Sequence, residues 1–225
     1  MGRRPPRRPA GTALDPDTWV APALPTRGDT ADVAGALYGS RLYDQPAHQD
    51  AAAAVRAFCA PGPPLNVEIG VDRGYRLLAH ARRWPAARWL GLEIRRSILD
   101  AAPTAPGNAL LFRGDARAVL AALVPAGRVD RIDALFPSPS DDPRKLLLTP
   151  TFAALCARVL APGGVVHVAT DVPGMVPLAE GAFAGWTAAA HPPSGPVQSR
   201  REKVCAAEER PVWRWTWRAP GEGRP

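Results

Sequence analysis

The amino-acid sequence predicts an α/β protein with a doubly wound, mostly parallel sheet, helices on both faces and an antiparallel C-terminal strand. Short apolar segments with the composition of buried strands recur along the chain, at 65–70, 88–94, 109–115, 131–137 and 164–171. Segments with helical spacing of apolar residues separate them. Strand and helix therefore alternate at roughly 20 to 30 residues, which is typical of right-handed crossovers between parallel strands.

The helical segments follow in the same order. A first helix is expected in 46–60, where Val55 and Phe58 share a face and Pro61 marks the end. Further helices are expected at 76–84, 95–102, 116–124 and 149–160. The Ala-Pro-Gly-Gly stretch at 161–164 is expected to close the last of them.

The final apolar segment, 212–218, does not continue the pattern of strand followed by helix. Within it, tryptophan alternates with arginine or threonine. Strand geometry places Trp213, Trp215 and Trp217 on one face. Arg214, Thr216 and Arg218 then occupy the other face. We interpret the tryptophans as core residues; the alternative is a surface that stacks RNA bases between phosphate-binding arginines.

Length and composition predict one domain with an N-terminal extension. A chain of 225 residues, 46% of them hydrophobic, can bury one substantial core, which we assign to 46–225. Residues 1–45 are rich in Pro and Arg and have no sustained apolar period, which predicts a flexible tail. Its arginines at 3, 4, 7 and 8 are interpreted as solvated; the alternative is an arm that contacts RNA phosphates.

Charge and cysteine content narrow the class of protein. A net charge of +7 suits a polyanionic partner, although a coding bias towards arginine would produce the same excess. The three cysteines lie far apart and away from histidines, so neither disulfides nor a metal site is expected. No signal sequence or membrane span is recognised, which predicts a cytoplasmic protein without a membrane partner.

Acidic residues stand at or just beyond the carboxyl ends of successive predicted strands. They are Glu68, Glu93, Asp115 and Asp171. Carboxylates at strand ends suit a ligand with hydroxyl groups, amino groups and a positive centre. In the first turn, Glu-Ile-Gly-Val-Asp-Arg-Gly, the acids Glu68 and Asp72 would repel a pyrophosphate, so a dinucleotide is disfavoured. A cationic nucleoside without phosphates, such as S-adenosylmethionine, fits better.

Residues 65–171 resemble the tRNA (guanine-N7-)-methyltransferase family of class I S-adenosylmethionine-dependent methyltransferases. The matching segments are VEIGVDRG, GLEIRRSIL, RGDA, DRIDALFPSP and FAALCARVLAPGGVVHVATD, with REK and VWRWTWR beyond them. The resemblance implies S-adenosylmethionine as cofactor and tRNA or another RNA as partner, without a metal and as a monomer or homodimer.

The resemblance also implies roles for single residues. Gly70 and Gly74 would let the backbone approach the cofactor, and Glu68 would lie beside its methionine end. Glu93 would bind the ribose hydroxyls and Asp115 the adenine edge. Asp171 and Glu202 match family residues on the substrate side. Helix capping is the alternative role for Glu93 and Asp115.

The sequence departs from the family pattern at three places. One is the C-terminal Thr-x-Phe/Tyr-Glu motif, which is represented by residues 199–202, Ser-Arg-Arg-Glu, with Glu202 as its one matching acid. Asp72 stands where the first turn usually has a glycine, and its carboxylate is expected to face the cofactor's amino group. The strand-four motif Phe-Pro-Asp-Pro-Trp is replaced by residues 136–140, Phe-Pro-Ser-Pro-Ser, followed by acids at 141 and 142 before the shortened basic run at 144 and 145. The candidate catalytic residues are therefore Ser138 and Asp141, with Asp142 as a further candidate.

Three functions stay open from the sequence alone. The first is methylation of guanine N7 in tRNA or another RNA. The second is methylation of a smaller or less anionic substrate, which the shortened basic run would suit. The third is a catalytically silent relative that binds RNA or a partner, which the changes at Asp72 and Ser138 would allow.

Overall fold

The computed structural model describes residues 46–141, 146–191 and 198–220. The strands in these residues are β1 (Leu65–Ile69), β2 (Arg88–Glu93), β3 (Ala109–Arg113), β4 (Val129–Leu135), β5 (Leu160–Thr170), β6 (Thr187–Ala188) and β7 (Trp213–Arg218). The helices are α1 (Pro46–Cys59), α2 (Tyr75–Arg83), α3 (Arg96–Leu99), α4 (Ala116–Ala122), α5 (Pro150–Val159), α6 (Val176–Ala182) and α7 (Arg200–Ala207). A 3₁₀ turn, Pro173–Met175, precedes α6.

The described strands form one mostly parallel sheet in the order β3-β2-β1-β4-β5-β7-β6. Strands β1 to β5 pair in parallel, and β7 runs antiparallel to both β5 and β6. The predicted fold class, including its antiparallel C-terminal strand, is confirmed. The change of strand order between β1 and β4 opens a crevice at the carboxyl ends of the parallel strands, where ligands bind in this architecture.

Two elements differ from the sequence prediction. The helix expected at 95–102 is a single turn, α3 (Arg96–Leu99). The Ala-Pro-Gly-Gly stretch does not form a separate stop after α5, because β5 already begins at Leu160. A β-carbon on Gly164 would lie 2.8 Å from the carbonyl oxygen of Val129, so only glycine fits where β5 passes the start of β4.

The main core lies on the sheet face covered by α1, α4, α5 and α6. It includes Trp217, whose ring stacks on Phe183 at 4.6 Å and on Trp215 at 5.6 Å between centroids. Trp215 packs against the same cluster. The core interpretation of the tryptophan strand is therefore confirmed for these two residues. Helix α2 covers the opposite face through a second cluster that contains Leu77, Leu78 and Trp89.

A row of buried polar residues crosses that second face. Register places Glu68 of β1 beside Asp133 of β4, Asp133 beside His167 of β5, and His167 beside Thr216 of β7. All four side chains belong to buried residues. Their polar atoms require partners inside the protein, since an unpaired buried polar group is costly. Arg76, in the first turn of α2, bonds Glu68 and Asp133, and the side chains of His167 and Thr216 bond each other at 3.0 Å.

Candidate active site

A cavity of about 300 Å³ lies at the carboxyl ends of the central parallel strands. Ile69, Leu92 and Ala134 form part of its apolar wall. Its polar lining comes from Glu93, Arg95, Asp115, Arg117 and Ser138. The combination of an apolar wall with a few converging polar groups is typical of a small-molecule site.

The first turn approaches this cavity with three alternate residues in the left-handed backbone region. The φ angles of Gly70, Asp72 and Gly74 are 72°, 53° and 78°. Gly70 lines the cavity, and a β-carbon on it would meet no atom within 4 Å, so its backbone is open to a ligand. Gly74 is buried instead, and a β-carbon there would lie 3.0 Å from Leu111. Its role in this structure is close packing rather than ligand approach.

Asp72 adopts a conformation that glycine favours. Aspartate tolerates the left-handed region better than most residues, but the conformation remains uncommon for a residue with a side chain. Its amide N–H donates to Glu93 Oε2 at 3.2 Å, which ties the first turn to the end of β2. Asp72 itself is not part of the cavity lining described above.

Glu93 ends β2 as a buried carboxylate facing the cavity. Its Oε1 accepts from the backbone N–H of Arg95 at 2.9 Å and from the Arg95 Nε at 3.0 Å. The Arg95 Nη2 lies 3.5 Å from Oε2. The exposed fractions of the two side chains are 2% for Glu93 and 61% for Arg95, so the arginine lies over the acid on the solvent side.

Asp115 combines the two roles that the sequence allowed. Its side chain caps α4 by accepting from the backbone N–H of Arg117 at 3.0 Å, and it also lines the cavity. The guanidinium of Arg117 bonds the same carboxylate, with Nη2 2.8 Å from Oδ2. The sequence analysis missed Arg95 and Arg117. An arginine two positions after Glu93 and after Asp115 was the signal that could have identified them.

Glu68 does not line the cavity, although the family resemblance placed it beside the cofactor. Arg76, in the first turn of α2, donates from Nη1 to Glu68 at 2.7 Å and to Asp133 at 3.0 Å. Arg131 donates to the other oxygen of Asp133 at 2.6 Å. Glu68 thus belongs to a buried ion network that fastens α2, and the turn before it, to β1 and β4.

The two carboxylates of this network differ in their pKa values. Burial raises the pKa of Glu68 to about 7, against the opposing effect of Arg76. Burial acts in the same direction on Asp133, but Arg76 and Arg131 outweigh it and hold the pKa of Asp133 below its ordinary value. Asp133, which also bonds Arg131, therefore stays charged near neutral pH. Glu68, which bonds Arg76 alone among these arginines, takes up a proton there.

The loop after β4 forms the opposite side of the cavity. Phe136, Pro137 and Ser138 line it, and Ser138 is exposed. Phe136 has a φ of 52°, which is strained for an aromatic residue, and its N–H donates to the carbonyl of Ala169 at 2.7 Å. Asp141 is exposed and lies outside the lining. Asp142, Arg144 and Lys145 lie outside the described residues, as do the arginines of residues 1–45.

The two acids predicted on the substrate side are engaged within the protein. Arg201 hydrogen-bonds Asp171 and holds the pKa of that carboxyl below its ordinary range. Glu202 forms a capping box with Ser199, their reciprocal bonds measuring 2.7 Å and 3.1 Å. Glu202 also lies 3.0 Å from the guanidinium of Arg214. Both acids therefore hold α7 against the ends of β5 and β7.

The residues around the cavity fit S-adenosylmethionine. Glu93 and Asp115 provide carboxylate acceptors, Gly70 leaves room beside the first turn, and the apolar wall suits a purine ring. In the described part of the chain, no group of three or more His, Cys, Asp or Glu is arranged to hold a metal ion. Over the same residues, no helix has the length and apolar character needed to cross a membrane.

Solved structures with this fold include the 16S rRNA methyltransferase KamB, with a TM-score of 0.54, 18% identity and coverage of 78% of this chain and 94% of that one. The aminoglycoside resistance methyltransferase NpmB1 has a TM-score of 0.52 and 14% identity over 75% of this chain and 93% of its own. Residues 63–185 match the family described as "Putative methyltransferase". The fold and the family match define a methyltransferase with a Rossmann-like sheet.

Sequence relatives specify the family further. A tRNA (guanine-N(7)-)-methyltransferase of Azorhizobium caulinodans is 32% identical over 75% of this chain and 68% of its own length. One from Anaeromyxobacter dehalogenans is 34% identical over 70% and 86%, and one from Methylococcus capsulatus is 37% identical over 48% and 50%. The chain belongs to the tRNA (guanine-N7-)-methyltransferase family. The predicted family and enzyme class are confirmed, and a catalytically silent relative is not favoured.

Proposed function

We propose that this protein transfers a methyl group from S-adenosylmethionine to N7 of a guanine in tRNA. The observation that carries the proposal is the shared cavity, which has Glu93 and Asp115 on one side and Ser138 on the other. The two acids would hold the nucleoside part of the cofactor, and the loop after β4 lines the same cavity. The names of the relatives support tRNA as the substrate.

On the cofactor side, the two acids and the apolar wall of the cavity have matching groups on S-adenosylmethionine. Glu93 accepts hydrogen bonds from the ribose hydroxyls, and Asp115 accepts from the amino group on the adenine edge. Ile69, Leu92 and Ala134 shield the purine from water. When bound, the cofactor supplies a methyl group attached to a positively charged sulfur.

On the substrate side, the chemistry demands position rather than proton transfer. Guanine N7 carries an in-plane lone pair and no proton, so its methylation needs no general base. The protein must hold the base in line with the methyl group and exclude water. Ser138 is exposed at the cavity and has a hydroxyl that can donate to or accept from the guanine edge.

The strained backbone at Phe136 supports a functional role for this loop. A positive φ on an aromatic residue costs free energy, and such conformations concentrate at functional sites. The hydrogen bond from Phe136 to Ala169 holds the strain in place. This conformation directs the following residues, including Ser138, across the cavity rather than along the strand axis.

Asp171 and Glu202 are proposed to act on the substrate through α7. Their bonds to Arg201 and Arg214 place that helix at the carboxyl edge of the sheet, at the end of β5 and the start of β7. Arg201 and Arg210 have side-chain exposures of 42% and 47%, so their guanidinium groups remain accessible to RNA phosphates. Asp171 would then be a positioning residue rather than a direct contact.

The test is a methylation assay with methyl-labelled S-adenosylmethionine and tRNA transcribed without modifications. The expected product is N7-methylguanosine after nuclease digestion, at one or a few positions. Label in another nucleoside, or none in tRNA although the cofactor binds, would contradict the proposal.

The same assay tests the loop after β4. Ser138→Ala is expected to lower kcat/KM by about 3- to 30-fold, because one hydrogen bond to the base is lost. Ser140→Ala is the matched control on the same loop and is expected to change the rate less. Equal effects of the two substitutions on kcat/KM would contradict the proposed role of Ser138 in binding the guanine.

A further inference from the structure

Glu93 already has partners where the ribose would bind. Two of its contacts come from the backbone: the N–H groups of Asp72 and Arg95, at 3.2 Å and 2.9 Å. The others come from the Arg95 side chain, whose Nε and Nη2 lie 3.0 Å and 3.5 Å from the carboxylate oxygens. The backbone bonds orient the carboxylate, whereas the side-chain bonds use the same lone pairs that hydroxyl donors need.

Arg95 differs from Glu93 in how firmly it is held. Its side chain is 61% exposed, while that of Glu93 is 2% exposed. The acid is fixed between two turns, and the arginine can rotate into solvent. A ligand that enters the cavity therefore replaces the arginine's bonds without disturbing the backbone bonds that hold Glu93.

We propose that Arg95 is a displaceable counter-ion that covers Glu93 before the cofactor binds, and that Asp72 retains the arginine once the ribose has replaced it. The inference rests on the proposed function, since it requires a nucleoside in this cavity. Arg95 is a positioning residue here: it sets the affinity for the ribose by competing for its acceptor.

The position of Asp72 supports this role. The hydrogen bond to Glu93 raises the pKa of Arg95, and the negative charges of Glu93 and then Asp72 add to that effect. Both residues also bond the same Glu93 carboxylate, Asp72 through its backbone N–H at 3.2 Å and Arg95 through Nε at 3.0 Å, so they are neighbours around one acceptor. Asp72 also keeps a left-handed conformation, with a φ of 53°, that a glycine would adopt without strain. A second carboxylate for Arg95 is a physical reason for a side chain at this strained position.

The experiment measures binding of adenosine and of S-adenosylmethionine by calorimetry at pH 8. Arg95→Gln is expected to tighten both ligands by about two- to fivefold, the range for loss of one partly exposed ion pair. Arg56→Gln, an exposed arginine on α1, is the matched control and should leave both affinities unchanged. Asp72→Asn, which tolerates the same backbone conformation, is expected to weaken both ligands by about twofold.

The neutral ligand separates competition from simple repulsion. If Arg95 only repels the cationic cofactor, its removal tightens S-adenosylmethionine and leaves adenosine unchanged, which overturns the proposal. If it competes for Glu93, both ligands gain equally because both carry the same ribose.

A double-mutant cycle tests the part played by Asp72. In the Arg95→Gln background, Asp72→Asn is expected to have no effect on either affinity, because the guanidinium that Asp72 would attract is absent. An equal effect in both backgrounds overturns the role of Asp72. If neither adenosine nor S-adenosylmethionine binds to the unaltered protein, the proposed function is overturned together with this inference. Binding that Arg95→Gln leaves unchanged or weakens overturns the inference alone.

Discussion

The buried ion network behind the first turn makes a quantitative prediction about Arg76. Its guanidinium bonds Glu68 at 2.7 Å and Asp133 at 3.0 Å, and the exposed fractions of these three side chains are 9%, 6% and 2%. Arg76→Met keeps an unbranched side chain of similar length and removes the charge. Asp133 retains Arg131 at 2.6 Å, so the substitution deprives Glu68 of its counter-charge and Asp133 of one of two.

The expected cost depends on pH through Glu68. Its pKa in the folded protein is about 7, above the ordinary value of 4.5, so its contribution to stability is fully present below pH 4.5 and is lost as the pH rises to 7. At pH 6 the carboxyl is mostly protonated with or without Arg76. The loss is then due mainly to the weakened Asp133 contacts and amounts to about 2–3 kcal/mol.

At pH 8 the same substitution is expected to cost more. Without Arg76 the pKa of Glu68 rises further, so the variant must bury a charge or hold a proton that the unaltered protein has released. One pH unit above the folded pKa corresponds to about 1.4 kcal/mol, which brings the total loss to about 3–4 kcal/mol. The additional loss between pH 6 and pH 8 is therefore due to Glu68.

Urea unfolding at the two pH values measures this difference. Measured against Glu68→Gln alone, Glu68→Gln combined with Arg76→Met should lose the same free energy at pH 6 and pH 8, because neither protein carries the titrating group. A loss in Arg76→Met that does not change with pH would refute the assignment of a raised pKa to Glu68. So would a pH-dependent loss that persists in the double variant.

Two further predictions concern the cavity and the buried histidine of α2. Glu93→Ala is expected to weaken S-adenosylmethionine binding by about tenfold or more in calorimetry, because the ribose loses a charged acceptor. Glu180→Ala, which removes an exposed acid on α6, is the control. Equal affinities of the two variants for the cofactor would contradict a role of Glu93 in binding it. His80 is fully buried against Trp84 and Trp89, and burial lowers its pKa from 6.5 to about 4. The contribution of His80 to stability is therefore present above pH 6.5 and is lost as the pH falls towards 4. His80→Phe is expected to reduce the loss of unfolding free energy between pH 6.5 and pH 4.5 by about 2–3 kcal/mol, and an unchanged pH profile from urea titrations would contradict this.

Sequence reasoning located the carboxyl ends of the strands and, through them, part of the cavity. Glu93 and Asp115 were found because each stands at or just beyond the carboxyl end of a predicted buried strand, and parallel strands bring such positions to one edge of a sheet. Gly70 was found from the spacing of the first turn, and its open, left-handed backbone is consistent with that interpretation. These features depend on local pattern and on the direction of the chain.

The charge partners of the acids could not be read in the same way. Glu68 and Asp133 become neighbours only through the register of β1 with β4, and Arg76 reaches both because α2 turns back over that face of the sheet. Asp171 meets Arg201 through the return of α7 to the end of β5. A strand-end acid in the sequence could therefore be a ligand acceptor or half of an ion pair.

The sequence by itself determined the order of strands and helices, the parallel sheet, and the edge at which the acids stand, because periodicity and strand ends are properties of consecutive residues. Only the tertiary structure decided which acids face the cavity and which are neutralised inside the protein. The free energy of a buried charge depends on what lies a few ångströms away, and that is set by sheet register and helix packing. Glu93 and Glu68 are both buried near strand ends, but Glu93 faces a cavity and pairs with an exposed arginine, whereas Glu68 pairs with a buried one.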